Sequence, residues 1–527
     1  MTQAAPEKNT ALMEKIVSLC KRRGFIFQSA ELYGGLNGCW DYGPLGTELK
    51  RNLKDYWWRK NVQEREDIVG LDGSILTHQE VLKASGHVGG FSDPMCDCLL
   101  SKARLRADQI EPQSGTAYWY SGASHEESGW SVERSYAVLL AEGQDENKAR
   151  KTARQYYAQF LVDKQISPKK IELQGEKTEP VEKSTRFNPE NGSLLTEPRD
   201  FNLMFKTTVG ASADDADESS IAYLRPETAQ SIFSQFKNVV ETNRLKLPFG
   251  IAQIGKSFRN EINPRNYTFR SREFEQMEIE YFCREEDGLA LTEEWLERRL
   301  TFYEEIGISR ERLHVLDVPD GERAHYSKKT YDIEYEFPFG IQELEGVAYR
   351  TDYDLKKHQE HSGKPLELFN EETREKLVPH VVEPSAGCDR TILALICEAF
   401  DEESVTDEQG KVEVRTLLRF SPRMAPIKVG VFPLLKNKPE LVAKAREIQR
   451  LLAPHMTVFY DEAGAIGRRY RRQDEIGTPF CVTVDFDTLG ENGDEAKDTV
   501  TLRERDSMSQ ERVAIADLRA FLLDRIA

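Results

Sequence analysis

The chain has 527 residues, of which 39% are hydrophobic and 31% are charged, as in a folded globular protein of two or three domains. Its formal net charge of −18 opposes nonspecific binding to nucleic acid but allows specific binding where arginines gather. No segment approaches the roughly 18 apolar residues of a membrane span, and no signal peptide is evident, so we expect a cytoplasmic protein that binds no membrane. The eight cysteines are scattered, which predicts reduced thiols without disulfides.

The first elements are two amphipathic helices. Apolar residues at helical spacing predict a helix over Leu12–Arg23 that stops at Gly24. After a glycine-rich loop, Pro44 suits the first turn of a second helix, whose apolar face carries Leu45, Leu49, Leu53 and Tyr56. That face packs either within its own domain or against a second copy of the chain.

Residues from about 95 to 205 have the character of an insertion. Polar loops surround a stretch of alternating charge, roughly Ser131–Ser167, that predicts a helix. Later runs with apolar or alternating patterns predict antiparallel strands with one covered face, at Ile221–Arg225, Phe249–Phe258, Phe274–Phe282 and Val347–Tyr353. We therefore expect residues 1–424 to form an α+β domain with an antiparallel sheet and helices, interrupted by the insertion.

Beyond Ser421–Pro426, predicted strands and helices alternate, which indicates a C-terminal α/β domain over residues 425–527. One of its helices carries the cluster Arg468, Arg469, Arg471 and Arg472. Taken alone, a short basic run is more often a solvated helix face than a binding surface.

The stretch Ser257–Tyr281 places four arginines and five glutamates around an Asn-Pro-Arg turn. Polar and apolar residues alternate along its second arm, so Gln276, Glu278 and Glu280 share one face of the predicted strand. A solvated face balanced by arginines would explain this pattern. A ligand with phosphates at one end and an amine at the other would also explain it, because guanidinium groups fork onto phosphate oxygens.

This hairpin, FRNE followed by FRSREF and EQMEIEYF, resembles motif 2 of the class II aminoacyl-tRNA synthetases, in the form found in dimeric glycyl-tRNA synthetases. EPSAGCDRTILALICEAF resembles motif 3, and GGLNGCWDYGPLGTELKRNL with ILTHQEVLKASGH resembles the motif 1 region. YLRPETAQ, GIQELEGVAYRTDYDL and RFSPRMAP are also similar to that family, and the C-terminal unit resembles its anticodon-binding domain. These blocks in this order are a strong signal.

The resemblance implies a class II fold, a homodimer, and ligation of glycine to tRNA(Gly) with ATP as substrate and Mg²⁺ as cofactor. It implies that Arg259 and Arg390 are catalytic, that Glu343 holds Mg²⁺, and that Phe274 stacks on adenine. The implied ATP contacts are Arg259, Asn260, Glu261, Phe269, Arg270, Ser271, Arg272, Glu273, Phe274, Glu343, Leu344, Gly387, Cys388, Asp389 and Arg390.

For glycine, the resemblance implies several carboxylates around the ammonium group, which attract it and exclude a β-carbon. The implied glycine contacts are Arg106, Glu227, Phe274, Glu275, Gln276, Met277, Glu278, Arg350, Glu383, Pro384, Ser385, Ala386 and Gly387. The resemblance also implies that the arginine cluster contacts tRNA, through Arg468, Arg469, Arg471 and Arg472.

The chain departs from the family at its zinc ribbon. Where many members carry two Cys-x-x-Cys pairs, this sequence has Cys98 with Ser101 and Asn188 with Asn191. A Cys₄ site needs four thiolates, so we expect no structural zinc.

Two other functions stay open at this point. One is a noncatalytic synthetase-like accessory or binding protein, which retention of Arg259, Glu261, Phe274 and Arg390 disfavours. The other is a related synthetase for another small amino acid, which the EPSAG and RPETAQ blocks disfavour.

Overall fold

The computed structural model describes residues 9–161, 166–210, 220–369, 374–406, 410 and 412–527. Among the helices of these ranges, none combines the length and the low charge that a bilayer crossing demands. The helices are α1 (Thr10–Arg23), α2 (Pro44–Trp58), α3 (Gln79–Ala84), α4 (His87–Gly90), α5 (Glu146–Ala158), α6 (Ala229–Asn243), α7 (Gly288–Ile306), α8 (Tyr353–Ser362), α9 (Cys388–Ala399), α10 (Pro439–Leu452), α11 (Ile466–Ile476) and α12 (Ile515–Ile526).

The strands are β1 (Ile26–Gln28), β2 (Trp40–Tyr42), β3 (Ile68–Gly70), β4 (Leu76–His78), β5 (Ser92–Asp97), β6 (Arg104–Arg106), β7 (Gln113–His125), β8 (Trp130–Leu140), β9 (Glu172–Gln174), β10 (Lys177–Ser184), β11 (Arg199–Asn202), β12 (Phe205–Thr208), β13 (Ile221–Leu224), β14 (Phe249–Phe258), β15 (Glu273–Cys283), β16 (Leu313–Asp317), β17 (Lys329–Phe337), β18 (Gly340–Thr351), β19 (Leu368–Phe369), β20 (Lys376–Leu377), β21 (His380–Gly387), β22 (Phe400–Thr406), β23 (Val412–Leu418), β24 (Val429–Pro433), β25 (Val458–Tyr460), β26 (Phe480–Val484), β27 (Thr499–Glu504) and β28 (Gln510–Ala514).

The chain forms two compact units. The core unit comprises Met1–Ser85, Phe205–Arg259 and Pro264–Ala527, and the insertion unit comprises Gly86–Met204 with Asn260–Asn263. The core unit contains the antiparallel sheets and helices expected from the sequence, together with the C-terminal α/β elements.

The two predicted N-terminal helices are confirmed as α1 and α2. Gly24 caps α1 in the left-handed conformation, with φ of 77°, and its N–H bonds back to the carbonyls of the last turn. On α2, Leu49 and Leu53 are fully buried in the core of the same chain. The apolar face of α2 is therefore satisfied within its own domain.

A seven-stranded sheet in the order β16-β17-β18-β21-β15-β14-β3 forms the centre of the core unit. The predicted hairpin is its antiparallel β14–β15 pair, in which Gln253 lies opposite Glu278. One face of β15 places Met277, Ile279 and Tyr281 in the main hydrophobic core. The other face carries Gln276, Glu278 and Glu280, and all three are buried. The interpretation of this face as a solvated acidic surface is therefore wrong.

The C-terminal elements follow the predicted alternation. They form a five-stranded sheet in the order β25-β24-β26-β27-β28, with β24 parallel to both β25 and β26. Strand β28 was not expected from the sequence, because Gln510–Ala514 is short and largely exposed. The apolar residues of α10, α12 and the central strands form a separate core.

A buried ion network joins these C-terminal elements to the β22–β23 hairpin. Asp474 on α11 is fully buried and accepts hydrogen bonds from Arg415 on β23, at 3.0 Å, and from Arg503 on β27, at 2.8 and 3.1 Å. The next residue, Glu475, pairs with Arg22 and Arg23 of α1. Helix α11 is thus fixed by charge on its inner side.

In the insertion unit, β7 pairs with β8, β9 and β10. The prediction of one helix over roughly Ser131–Ser167 is wrong in its first part, since Trp130–Leu140 is strand β8 and the helix is Glu146–Ala158. Cys98 is fully buried, and its thiol lies 3.8 Å from Asn191 Nδ2. Burial opposes ionisation of Cys98, yet hydrogen bonds from Ser101 and neighbouring groups lower the pKa of its thiol.

We predict that Asp474→Asn destabilises the protein by about 3 kcal/mol, because it leaves the buried Arg503 guanidinium without its counter-ion and leaves Arg415 with Glu403 alone. Denaturant unfolding followed by circular dichroism measures the change. Asp524→Asn, which alters the charge of an exposed side chain on α12 in the same way, is the control and should change stability by less than about 0.5 kcal/mol. Equal effects of the two variants would contradict a structural role for the network.

Candidate active site

An acid pocket lies on the buried face of the central sheet and consists of Glu278 and Glu280 from β15 and Glu383 from β21. Carboxylate oxygens of these three residues lie within 4.8 Å of one another. The strand register produces this arrangement, because β15 and β21 are antiparallel neighbours with Glu278 opposite Ser385. Side chains two apart on β15 then share the face that Glu383 also occupies.

The electrostatics of the acid pocket favour protonated carboxyl groups in the absence of a ligand. Burial, followed by repulsion from Glu383 and Glu227, raises the pKa of Glu278 to about 8. Burial and the Glu383 charge raise the pKa of Glu280 well above its usual range. The pKa of Glu383 is also raised, mainly by burial, although Arg350 opposes the shift. A cation placed beside these carboxyl groups would favour their ionised form.

Hydrogen bonds hold Glu278 in place. Ser385 Oγ donates to Glu278 Oε1 at 2.8 Å, and the Thr228 hydroxyl donates to Oε2. The amide of Gln276 extends this chain, since its Nε2 lies 3.4 Å from Ser385 Oγ and its Oε1 accepts from Ser257 at 2.8 Å. The carboxylate is therefore aimed by side chains from β14, β21 and the turn before α6.

Arg350 is the cation within the acid pocket, and three of its five N–H donors bond to acids. Its guanidinium group forks onto Asp354 at 2.8 and 2.9 Å and donates to Glu383 at 2.7 Å. The side chain is only 2% exposed. These bonds show that Arg350 positions Glu383, and its contact with the substrate stays a prediction.

A second group of residues surrounds the start of β15. Arg259 lies at the end of β14, with Nε donating to the Pro226 carbonyl at 3.0 Å and its guanidinium carbon 5.3 Å from the centre of the Phe274 ring. The main-chain N–H of Arg259 bonds to the carbonyl of Arg272. A planar cation and an aromatic ring thus stand side by side on the two arms of the hairpin.

Arg390, at the start of α9, lies 4.4 Å from the centre of the Phe269 ring and pairs with Glu343 on β18 at 3.2 Å. Two acids on β17 that the sequence did not single out lie near Glu343. Burial, then repulsion from Glu343, raises the pKa of Asp332 to about 7, and burial also raises that of Glu334. Their signal in the sequence is the alternation of acids in YDIEYEF.

Several residues predicted as ligand contacts have side chains directed elsewhere. Glu275 bonds to Lys50 and Lys54, and Asp389 bonds to Lys50 and Tyr42. The following side chains lie buried in the hydrophobic core: Met277, Leu344, Ala386 and Cys388. Strand alternation turns Glu275, Met277 and Ala386 away from Glu278, and the side chains of Leu344, Cys388 and Asp389 pack elsewhere, so a ligand contact by any of these residues would be made through its main chain.

Other predicted residues have different surroundings. Glu273 is exposed and pairs with Lys256. The guanidinium of Arg272 donates to the Asn37 carbonyl at 2.5 Å. Gly387, where β21 ends, is the N-cap of α9. Ser271 is buried, Pro384 precedes Ser385 on β21, and Arg270 follows the short helical turn at Tyr267–Phe269.

Three predicted residues belong to the insertion unit. Arg106 pairs there with Asp93 at 3.0 Å and with Asp108 at 2.6 Å. Glu261 is 8% exposed in the same unit and lies close enough to Arg106 to interact electrostatically with it. The main-chain N–H of Asn260 bonds to the Leu203 carbonyl.

The four arginines of α11 do not form one surface. Arg469 is 2% exposed and donates to the carbonyls of Pro433 and Leu434, so it closes the end of β24 and is unavailable to an RNA in this arrangement. Arg468 is exposed, Arg471 is partly exposed, and Arg472 pairs with Asp461. The expectation of an RNA contact through Arg469 is thus inconsistent with its burial.

The sequence analysis missed three buried polar residues that organise the acid pocket. Thr228 bonds to Glu278, and Asp354 bonds to Arg350. Gln253 donates to the Thr228 carbonyl at 2.8 Å, and its signal is a glutamine within an otherwise apolar strand. Thr228 and Asp354 lie inside the RPETAQ and TDYDL blocks, so their position next to recognised residues was the available signal.

Two protein-family models match the chain. The tRNA synthetase class II core domain (G, H, P, S and T) matches residues 206–399. The anticodon binding domain matches residues 428–525.

Known relatives match almost the whole chain. It is 48% identical to a glycine–tRNA ligase of Clostridium perfringens, over 97% of each protein. It is 46% identical to that of Thermus thermophilus and 44% identical to that of Rhodopirellula baltica, in both cases over 98% of this chain and 99% of the relative. The chain therefore belongs to the glycine–tRNA ligase family, with a class II synthetase core and an anticodon-binding domain.

Proposed function

We propose that the chain ligates glycine to the 3′ end of tRNA(Gly) in two steps at the central sheet. A glycine carboxylate oxygen attacks the α-phosphorus of ATP, and pyrophosphate leaves to give glycyl-adenylate. A ribose hydroxyl of the tRNA then attacks the glycyl carbonyl, and AMP leaves. The observation that carries this proposal is that one hairpin, β14–β15, bears both the acid pocket and the Arg259–Phe274 pair.

The glycine half of the site is the acid pocket. We assign the substrate ammonium group to the carboxylates of Glu278, Glu383 and Glu227, with Ser385 and Thr228 holding the first of these. A buried pocket this rich in carboxylates satisfies a charged amine and leaves no apolar surface for a β-carbon. Because no amino acid is smaller than glycine, exclusion by size is sufficient and an editing site is unnecessary.

The nucleotide half lies at the open end of the hairpin. Arg259 neutralises the charge that develops on the α-phosphate, and Phe274 offers a plane to adenine once the nucleotide displaces Arg259 from its ring. Arg390 binds the outer phosphates or the second face of adenine. Further assigned contacts in the core unit are Phe269, Arg270, Ser271, Arg272 and the main chain at Gly387.

The residues around Glu343 suit Mg²⁺. Glu343 is half exposed, and Asp332 and Glu334 place two more carboxyl groups nearby, the oxygen ligands that this ion prefers. When bound, Mg²⁺ would neutralise phosphate charge on ATP. Glu343 otherwise holds Arg390 in position through their ion pair.

We assign tRNA binding in the C-terminal domain to the outward-facing side chains Arg468, Arg471 and Arg472. We also propose a homodimer, located in the cytoplasm. The α2 face gives no support for the dimer, because it is buried internally. Leu32 and Tyr33, each 88% exposed on the loop after β1, supply an apolar surface that a second copy would cover.

Pyrophosphate exchange tests the proposed function against its two alternatives. We expect glycine to support exchange, whereas serine, threonine and proline should not, because the carboxylates assigned to the ammonium group would exclude a side chain beside it. Arg259→Ala should lower the exchange rate about 100-fold or more through loss of α-phosphate stabilisation. Arg298→Ala, on the exposed face of α7, is the matched control. Absence of exchange with glycine would refute the proposal, and near-normal exchange in Arg259→Ala would refute the assigned role.

Proton release on glycine binding reports on Glu278. With a pKa of about 8, this carboxyl is mostly protonated at pH 7, and an ammonium group beside it favours the ionised form. We expect binding to release close to one proton at pH 7, and affinity to rise with pH until the pKa is passed. Calorimetry in two buffers of different ionisation enthalpy measures the release. Glu278→Gln should abolish it, and unchanged release in that variant would contradict the assignment.

The tRNA contact is tested by the double variant Arg468→Ala, Arg471→Ala. Loss of two phosphate contacts should raise the KM for tRNA about tenfold and reduce the salt dependence of binding, while glycine-dependent exchange stays unchanged. The double variant Arg519→Ala, Arg525→Ala removes the same charge from α12 and serves as the control. If both double variants weaken tRNA binding equally, the effect is one of net charge and the assignment to α11 fails.

A further inference from the structure

Glu280 is a buried acid that has no assigned role in the proposed reaction. It is fully buried on β15, between Glu278 and Phe282 on the same face of the strand. Within the described residues, neither of its carboxylate oxygens has a hydrogen-bond partner. One of its oxygens nevertheless lies within 4.8 Å of one carboxylate oxygen of Glu278 and of one of Glu383. A group of this kind demands an explanation, because buried polar atoms are almost always bonded.

The charged groups that act most strongly on Glu280 come from four elements. They are Glu278 on its own strand, Glu383 on β21, Arg350 on β18 and Asp354 on α8. Arg350 is the one cation of this set, and its donors are directed at Asp354 and Glu383. An ionised Glu280 would therefore be a buried anion without a donor, next to two further carboxylates, which is a costly state.

A neutral carboxylic acid at this position has the opposite property, because its O–H is a donor that the neighbouring carboxylates can accept. We propose, building on the proposed glycine ligase function, that Glu280 is a positioning residue that stays protonated throughout the reaction and donates its O–H to the Glu278–Glu383 carboxylate pair. A small rotation of its side chain brings the groups, already within 4.8 Å, into hydrogen-bond contact.

This role explains how the acid pocket binds one ammonium group without accumulating excess charge. When glycine enters, Glu278 loses its proton and the pair Glu278 and Glu383 becomes doubly negative. The ammonium group of the substrate donates hydrogen bonds to these carboxylates from one side, and the Glu280 O–H donates one from the protein. The two carboxylates are thereby held at the spacing that the ammonium group needs. The raised pKa of Glu280 agrees with a group that keeps its proton.

Two substitutions in the full chain distinguish a negative charge at Glu280 from a hydrogen-bond donor at Glu280. Glu280→Gln keeps the shape and an N–H donor but removes the acid, and Glu280→Leu removes the donor as well. We expect E280Q to keep its glycine KM within about threefold in pyrophosphate exchange, whereas E280L raises it about tenfold or more. The KM for ATP should be unchanged in both, because the nucleotide contacts lie at the other end of the hairpin.

Proton release supplies a readout that a purely structural role would not move. E280Q should still release close to one proton when glycine binds, since Glu280 never titrates, whereas Glu278→Gln should not. Loss of that release in E280Q, or a glycine KM raised as far as in Glu278→Gln, would show that Glu280 acts as a charged ligand and would overturn the proposal. A normal glycine KM in E280L would overturn it too, because no donor would then be needed.

Failure of the proposal is distinguishable from failure of the ligase function. If the unsubstituted chain shows no glycine-dependent exchange, the function itself is refuted, and this inference with it. A thermal unfolding midpoint and the ATP KM establish that each variant is folded. If E280L does not fold, E280Q decides the question alone, because the isosteric amide tests whether a neutral donor suffices.

Discussion

The ion pair that Arg350 forms with Asp354 and Glu383 is the interaction on which the acid pocket depends. Arg350 is 2% exposed, and its fork satisfies two carboxylates at 2.7 to 2.9 Å. Buried carboxylates repel one another and lose hydration, so such a set is stable only with a buried cation or with bound protons. The protein uses both solutions, since Arg350 compensates Asp354 and Glu383 while burial raises the pKa of Glu278 and Glu280.

Strand alternation connects this pocket to the stability of the domain. Met277 and Ile279 face the main core, and Glu278 and Glu280 face the pocket, so a shift of β15 by one residue would exchange apolar and acidic side chains. The apolar face is fully buried, and it therefore fixes the register that aims the carboxylates. The same hairpin places Phe274 four residues before Glu278 on β15, with Arg259 beside its ring, which separates the two charged ends of the reacting complex.

The sequence predicted the hairpin arms, the N-terminal helices and most of the C-terminal α/β elements, because apolar periodicity carries that information. It misplaced a helix over Trp130–Leu140, where alternating charges lie on strand β8. Most of the site came from the family resemblance. The burial of Glu280 and Arg469 and the pairing of Glu275 with Lys50 and Lys54 depend on contacts between distant segments, and local pattern contains no information about those contacts.

Helix α11 shows how one short segment divides its charges between folding and binding. Arg469, Gln473 and Ile476 recur at helical spacing and are buried, as is Asp474, which anchors the helix to β23 and β27. Glu475 anchors it to α1. Arg468 is exposed and takes no part in these contacts, whereas the guanidinium of the partly exposed Arg471 also lies 3.9 Å from Asp474, so Arg468 is the position that can change with least effect on the helix. Arginines with two different roles thus lie on opposite faces of one helix. The buried arginine stabilises the fold, and the outward arginines are available for binding, so burial and not composition distinguishes the two roles.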